Sequence, residues 1–197
     1  MIGWGKAPLA LQRVTIAAFP GCGRFSMRHF VITFIGPDRT GVVEDIALEV
    51  GRLGGNWLES RLGRLEGKFA GLISVALPDG VTSALSDALA LIVGGPWLIQ
   101  IEPCGDPIHP GPANFQVTLV GPDRPGIVGE ISGALAGIEV SIVTMDTLVE
   151  GAPFSGELLF KADIEVLAPE GMDSTSLRQC LEPVADEMTL DLDIENR

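Results

Sequence analysis

The sequence predicts an α+β chain built from two copies of one βαββαβ unit, each folded around an antiparallel sheet. Three observations carry this expectation. One phrase occurs twice, as Gly36-Pro37-Asp38-Arg39-Thr40-Gly41-Val42-Val43 and as Gly121-Pro122-Asp123-Arg124-Pro125-Gly126-Ile127-Val128, an offset of 85 from Gly36 to Gly121. Apolar residues then switch between strand and helix periods in the same order after each copy. A stretch with Pro103, Pro107, Pro110 and Pro112 divides the two. At the same offset Phe30 falls on Phe115, Thr33 on Thr118, Ile46 on Ile131, Phe69 on Phe154 and Gly71 on Gly156, as expected of one supersecondary unit used twice. After Gly71 the register fails, and the run from Glu157 to Pro169 predicts a longer strand or hairpin in the second copy.

The elements of the first copy follow in order. Phe30 to Ile35 is a run of apolar and β-branched residues stopped by Gly36-Pro37, which reads as a buried strand. From Gly41 the apolar positions Val42, Val43, Ile46, Ala47, Val50 and Leu53 form the stripe of an amphipathic helix, ended by Gly54-Gly55. Trp57 to Leu65 alternates as a second strand, and Glu66-Gly67-Lys68 turns it tightly into Phe69 to Leu77, an apolar strand. Pro78-Asp79-Gly80 opens a second helix carrying Leu85, Leu89 and Ile92, and Gly94-Gly95-Pro96 closes it before a last strand, Trp97 to Ile101.

The second copy predicts strands at Phe115 to Val120, Val140 to Val149, Phe154 to Val166 and Met188 to Ile194, with helices from Pro125 to about Gly137 and at Ser174 to Ala185. The domain boundaries expected are residues 29–103 and 114–197, joined by a linker over 104–113. A βαββαβ unit of this size implies the ferredoxin-like arrangement, a four-stranded sheet with both helices on one face. The other face must then be wet or covered.

Composition narrows the function. An apolar content of 46% suffices for packed cores, and a formal net charge of −13 argues against a phosphate-binding surface, so no direct nucleic-acid contact is expected. Any action on genes would run through another protein. The longest membrane candidate, Ala84 to Val93, is short and carries Ser86 and Asp87, so no membrane association is expected and a cytoplasmic location follows. All acidic residues lie after residue 37, whereas residues 1–28 carry Lys6, Arg13, Arg24 and Arg28. Such a leader suits an export or transit segment, although Pro8 and Gln12-Arg13 interrupt its apolar stretch; translation beginning at Met27 accounts for the boundary equally simply. An intact mass beginning near Met27 would support the second account.

Cys22, Cys104 and Cys180 are odd in number and widely spaced, which gives neither a disulfide framework nor a metal pattern. With His29 and His109 as the two histidines, no metal site, cofactor site or nucleophile with a histidine base is expected. Nor is there a phosphate-binding Gly-x-x-x-x-Gly-Lys motif. The chain reads as a non-enzyme.

The Gly-Pro-Asp-Arg-x-Gly loop after the first strand, the segment Gly55-Asn56-Trp57-Leu58-Glu59-Ser60-Arg61-Leu62 and the doubled βαββαβ pattern resemble ACT domains. The tandem form, over about residues 29 to 195, resembles the glycine cleavage system transcriptional repressor family. That resemblance implies a regulator that binds a small amino acid, glycine being the family-based candidate, and acts on a DNA-binding transcription regulator, as a homo-oligomer. Physically, amides at the start of a helix lack intrahelical acceptors, so those near Gly41, Val42 and Val43 can receive a carboxylate, as can those at Gly126 and Ile127. Asp38 or Asp123 would accept the ammonium of the ligand, and Asn56 would offer a donor and an acceptor together. Ser141 stands where Asn56 does, which favours the first copy. Arg39 and Arg124 either steer a carboxylate or cover the sheet edge. The purely structural alternative makes Asp38 a helix N-cap, Gly41 a turn residue and Asn56 a turn amide. The functional alternative is a ligand-free module that regulates an enzyme or regulator by protein contact.

Overall fold

In the computed structural model, the residues described are 26–93, 96–105, 111–152 and 156–197. The leader therefore lies outside the described residues up to residue 25, whereas Met27 is the first residue of β1. The chain divides into two compact units, one ending at Pro107 and the other starting at Ile108. In the first, β1 (Met27–Pro37), α1 (Val42–Arg52), β2 (Asn56–Leu65), β3 (Lys68–Pro78), α2 (Thr82–Val93) and β4 (Leu98–Pro103) follow one another. The second repeats the order with β5 (Phe115–Pro122), α3 (Ile127–Gly137), β6 (Ser141–Gly151), β7 (Leu158–Leu167), α4 (Ser174–Met188) and β8 (Asp191–Asn196).

Each unit holds a four-stranded antiparallel sheet, in the orders β2-β3-β1-β4 and β6-β7-β5-β8. This is the ferredoxin-like arrangement. Alternation decides its faces. Phe30, Ile32 and Phe34 point inward with Ile73, Val75 and Leu77, and bury against Val42, Ile46, Val50, Leu85 and Leu89 of the helices. The second core repeats this with Phe115, Val117, Leu119, Ile164, Ile131, Leu135, Leu177 and Leu181. Both helices of each unit thus cover one face and leave the other open.

The structure corrects the expected elements at four places. Phe69 pairs with Gly36, and the residue pairing with Gly121 is Phe160, so Phe160 rather than Phe154 is the counterpart of Phe69. By the same ladder Gly71 corresponds to Ala162, not Gly156. The extra residues sit in the hairpin turn, ahead of the strand: Glu66 and Gly67, both with positive φ, turn the first hairpin, whereas Gly151 pairs with Leu158 in the second. β7 consequently begins at Leu158 and not at 154, which lies outside the described residues. Third, Met188 ends α4 instead of opening β8. Fourth, α3 starts at Ile127, two residues past Pro125, because Gly126 occupies the N-cap. One shared irregularity confirms the repeat: the ladder slips between Trp57 and Glu59 and, at the same position, between Ile142 and Thr144.

Candidate functional site

The repeated phrase joins the end of a central strand to the start of a helix in each unit, and its residue types have separable causes. Gly36 is required by packing, since a Cβ there would enter the indole ring of Trp97. At Gly121 a Cβ would stand 2.5 Å from the Thr189 carbonyl oxygen and 2.9 Å from Leu190 Cδ2. Gly41 and Gly126 are required by backbone conformation, with φ of 89° and 98° in the left-handed region. Both are helix N-caps without a side-chain capping bond. The structural reading of Asp38 as N-cap is therefore corrected: Gly41 holds that place, and its carbonyl accepts the Asp45 amide at 2.9 Å.

The amides of Asp38 and Asp123 instead extend the sheet, donating to the carbonyls of Gly67 at 3.1 Å and Leu158 at 2.9 Å. This leaves both carboxylates beside the tip of the neighbouring hairpin. There the copies part. Arg64 Nε lies 3.1 Å from Asp38 Oδ2, whose side chain is 29% exposed. The ladder places Val149 where Arg64 stands, so Asp123 lacks the counterpart of that pair. Arg39 donates to Asp45 Oδ2 at 2.6 Å and to the Thr40 carbonyl at 3.2 Å, while Arg124 forms no ion pair among the described residues. The first loop neutralises its own charges more fully than the second.

Val42 and Ile127 are buried core anchors, so only their backbone can face a ligand. Their amides open helices α1 and α3, where the macrodipole favours an anion. The carboxylates of Glu44 and Asp45 in the first turn oppose an incoming anion, and Arg39 offsets Asp45. The first turn of α3 carries Glu130.

Asn56 and Ser141 do not join these loops within their domains. Asn56 pairs with Ala76, which pairs with His29 at the beginning of β1, whereas the loop leaves the end of β1 after Pro37. Eight strand residues separate the two levels, about 26 Å at the rise of an extended strand. Ser141 pairs with Leu167, at the corresponding far end of its sheet. Both are exposed. A single small amino acid cannot touch Asp38 and Asn56 of one domain at once, because its own length is a fraction of that span.

Arg64 is the loop residue that sequence reasoning missed. Its signal was available: a two-residue turn at Glu66-Gly67 sets Arg64 opposite Phe69, and Phe69 lies opposite Gly36. At the start of α4 the Asp173 carboxyl is held below the ordinary 3.8 chiefly by the Ser176 amide it accepts, and it caps that helix. Among the described residues no cluster of three metal-ligating side chains forms, and no helix is long and apolar enough to cross a membrane.

Comparison with known proteins agrees with this architecture. The family model described as ACT domain matches residues 28–93 and 114–195, one match for each unit. The crystal structure of an unknown protein from Galdieria sulphuraria superposes with a TM-score of 0.77 at 27% identity, covering 87% of this chain and 99% of that one. A protein provisionally named a glycine cleavage system transcriptional repressor superposes with a TM-score of 0.65 at 14% identity, covering 87% of this chain and 98% of that one. None of the curated proteins matches the sequence.

Proposed function

The chain belongs to the ACT domain family, and from that premise we propose that it is a non-catalytic regulatory protein that senses a small amino acid and modulates transcription through a DNA-binding protein partner. The observation that carries the reading is the paired match over both units, each presenting a glycine-capped helix start beside an aspartate. The ligand carboxylate would meet the amides of Val42 and Val43, or of Ile127 and Val128, and its ammonium would meet Asp38 or Asp123. In the first loop the ammonium must displace Arg64; in the second no such competitor stands at Val149. Arg39 steers the carboxylate in this reading. Asn56 and Ser141 would take part only through a partner surface, given their place at the far end of each sheet.

Glycine is the first ligand to test, guided by the provisional name of the second structural relative; at 14% identity that likeness itself speaks to the fold alone. The protein would act in the cytoplasm as a homo-oligomer, without binding nucleic acid directly, since its net charge is −13. A ligand that binds only the folded state must stabilise it. Calorimetry and thermal shift with a panel of amino acids on the wild type, Asp38→Ala and Asp123→Ala decide the matter. Saturable stabilisation that one of the aspartate variants abolishes is the expected result. Silence of the wild type toward every amino acid would remove the sensor reading and leave the ligand-free module, which the open apolar sheet face of the first unit favours.

A further inference from the structure

We propose that the leader of this chain, residues 1–25, folds back over the outward sheet face of the first unit, so that any partner reaching this face must first displace it. The inference rests on no ligand and stands apart from the sensor reading. The point where the leader joins the sheet is fixed: Ser26 precedes β1, and its carbonyl accepts the Asp79 amide at 3.2 Å. β1 is a central strand, so the chain enters at the middle of one end of the sheet. Upstream of it, Pro20-Gly21-Cys22-Gly23 is made of turn-forming residues, and Val14-Thr15-Ile16-Ala17-Ala18-Phe19 is a mainly apolar run without a charge. Six extended residues span about 20 Å, the length of β1 from His29 to Ile35. A turn after Phe19 would lay that run back along the strand it precedes.

The face is aliphatic at its centre. Ile35 of β1, Leu72 of β3 and Leu98 of β4 alternate with the core set and are 44%, 51% and 74% exposed. Isolated aliphatic side chains on a surface need no explanation, but a contiguous patch does. One shallow concavity lies among Val31, Leu72 and Ser74 and another among Ile35, Leu98 and Gln100. Charge selects the leader over its rivals. Glu59, Ser74, Val31 and Glu102 form one row across the sheet, nearer than the Ile35 row to the end where the leader enters. Glu59 lies 3.8 Å from Arg61, and Glu102 accepts the Gln100 side-chain amide at 2.5 Å. The leader brings Lys6, Arg13 and Arg24 and no acidic side chain, with Arg24 next to the point of entry. The second unit carries 16 acidic against 4 basic residues, and a second copy carries −13, so either would add negative charge beside Glu59 and Glu102. Exposed ion pairs contribute little, so apolar burial supplies the adhesion and charge supplies the choice.

Limited proteolysis of the full chain with thermolysin, which cuts before large apolar residues, tests this when cleavage within residues 14–19 is followed by mass. Cleavage is expected to be slow in the wild type and at least about fivefold faster in Leu72→Lys, because it follows the population of undocked leader. Lysine there removes an aliphatic contact and repels a basic segment. Asp163→Asn, on the outward face of the other unit, should leave the rate unchanged. Circular dichroism checks that Leu72→Lys folds; Leu98→Lys, on the edge strand β4, serves as the second variant. A wild type cut as fast as both lysine variants overturns the proposal and leaves the face to the second unit or a second copy. Slow cleavage that neither lysine variant hastens overturns the face. Protection that fades on dilution makes the occupant a leader from another copy and overturns the fold-back, as does a native chain whose intact mass begins near Met27.

Discussion

Across the middle of its outward face the first domain reads Arg61, Leu72, Thr33 and Gln100, while the same four ladder positions of the second read Asp146, Asp163, Thr118 and Asp193. The inward faces, by contrast, remain aliphatic or aromatic in both. A fold constrains the side of a sheet that packs on helices and leaves the other side free to be written for contact or for solvent. Asp146 directly opposite Asp163 even opposes pairing, since like charges across strands repel. The second domain tolerates this because its hydrophobic core, and not its surface, holds the sheet. The two loops diverge in the same way, with an Asp38–Arg64 pair in one and Val149 at the place of Arg64 in the other.

The largest expected effects test whether the two cores stand apart. Phe34 contacts Phe69 and Trp97 at ring-centroid distances of 5.7 and 5.9 Å, whereas the second domain has Leu119 at that place. Phe34→Ala should cost about 3–5 kcal/mol and Leu119→Ala about 2–5 kcal/mol. All three tryptophans, Trp4, Trp57 and Trp97, precede the second domain, which has neither Trp nor Tyr, so in a Trp4→Phe background indole fluorescence reports the first unit and circular dichroism both. Phe34→Ala should lower the fluorescence transition and Leu119→Ala should not. A fluorescence midpoint that moves equally in both variants would show one cooperative core.

Next come the glycines that the two loops share. Gly41→Ala and Gly126→Ala each force an L-residue into the left-handed region, at about 1–2 kcal/mol. Nothing lies within 4 Å of a Cβ at Gly126, and at Gly41 the nearest atom is Arg39 Nη1 at 3.9 Å, so strain and not collision sets the effect. Denaturant midpoints of the two variants should therefore fall by similar amounts in their own domains. A larger fall at Gly41 would mean that the alanine also disturbs the Arg39–Asp45 pair.

Much of this architecture was legible in the sequence. Period-two and period-3.6 patterns find the strands and helices because burial of one face imposes them. The offset from Gly36 to Gly121 found the repeat but continued it too far, since a long hairpin turn absorbs residues without touching the ladder that counts them. The candidate site was less legible. Asp38, Gly41 and Val42 are neighbours in the chain, and the structure keeps them together; Asn56 was joined to them by resemblance, and strand direction carries it to the other end of the sheet. Arg64 was overlooked because its link to Asp38 exists only once three strands are in register.

A smaller effect separates the loops themselves. The Asp38–Arg64 pair is partly exposed, with Arg64 72% accessible, so its loss in Arg64→Ala should cost under about 1 kcal/mol. Its consequence for binding should exceed its consequence for stability. With Arg64 gone, Asp38 loses its competitor and comes to resemble Asp123, so an amino acid that stabilises the wild type should do so at lower concentration. Thermal shift against ligand concentration reads this, and a weaker response in Arg64→Ala would mean that Arg64 holds the ligand itself.

The smallest effect concerns the difference between a true aspartate cap and Asp38, which only looked like one. Asp173 accepts the Ser176 amide at 2.8 Å and caps α4, while α1 and α3 start from glycine without a side-chain cap. That bond favours the ionised carboxylate and holds it below the ordinary 3.8. The folded state therefore binds its proton less readily than the unfolded chain, so the contribution is fully present above 3.8 and fades as pH falls through the folded value. Asp173→Asn keeps an acceptor oxygen but removes the titration, and should flatten the acid limb of the second domain's unfolding curve while leaving neutral stability nearly unchanged. Asp123→Asn, whose side chain caps no helix, should leave the α4 contribution in place. Equal acid limbs in wild type and Asp173→Asn would show that the bond to Ser176 does not favour the charged form in solution.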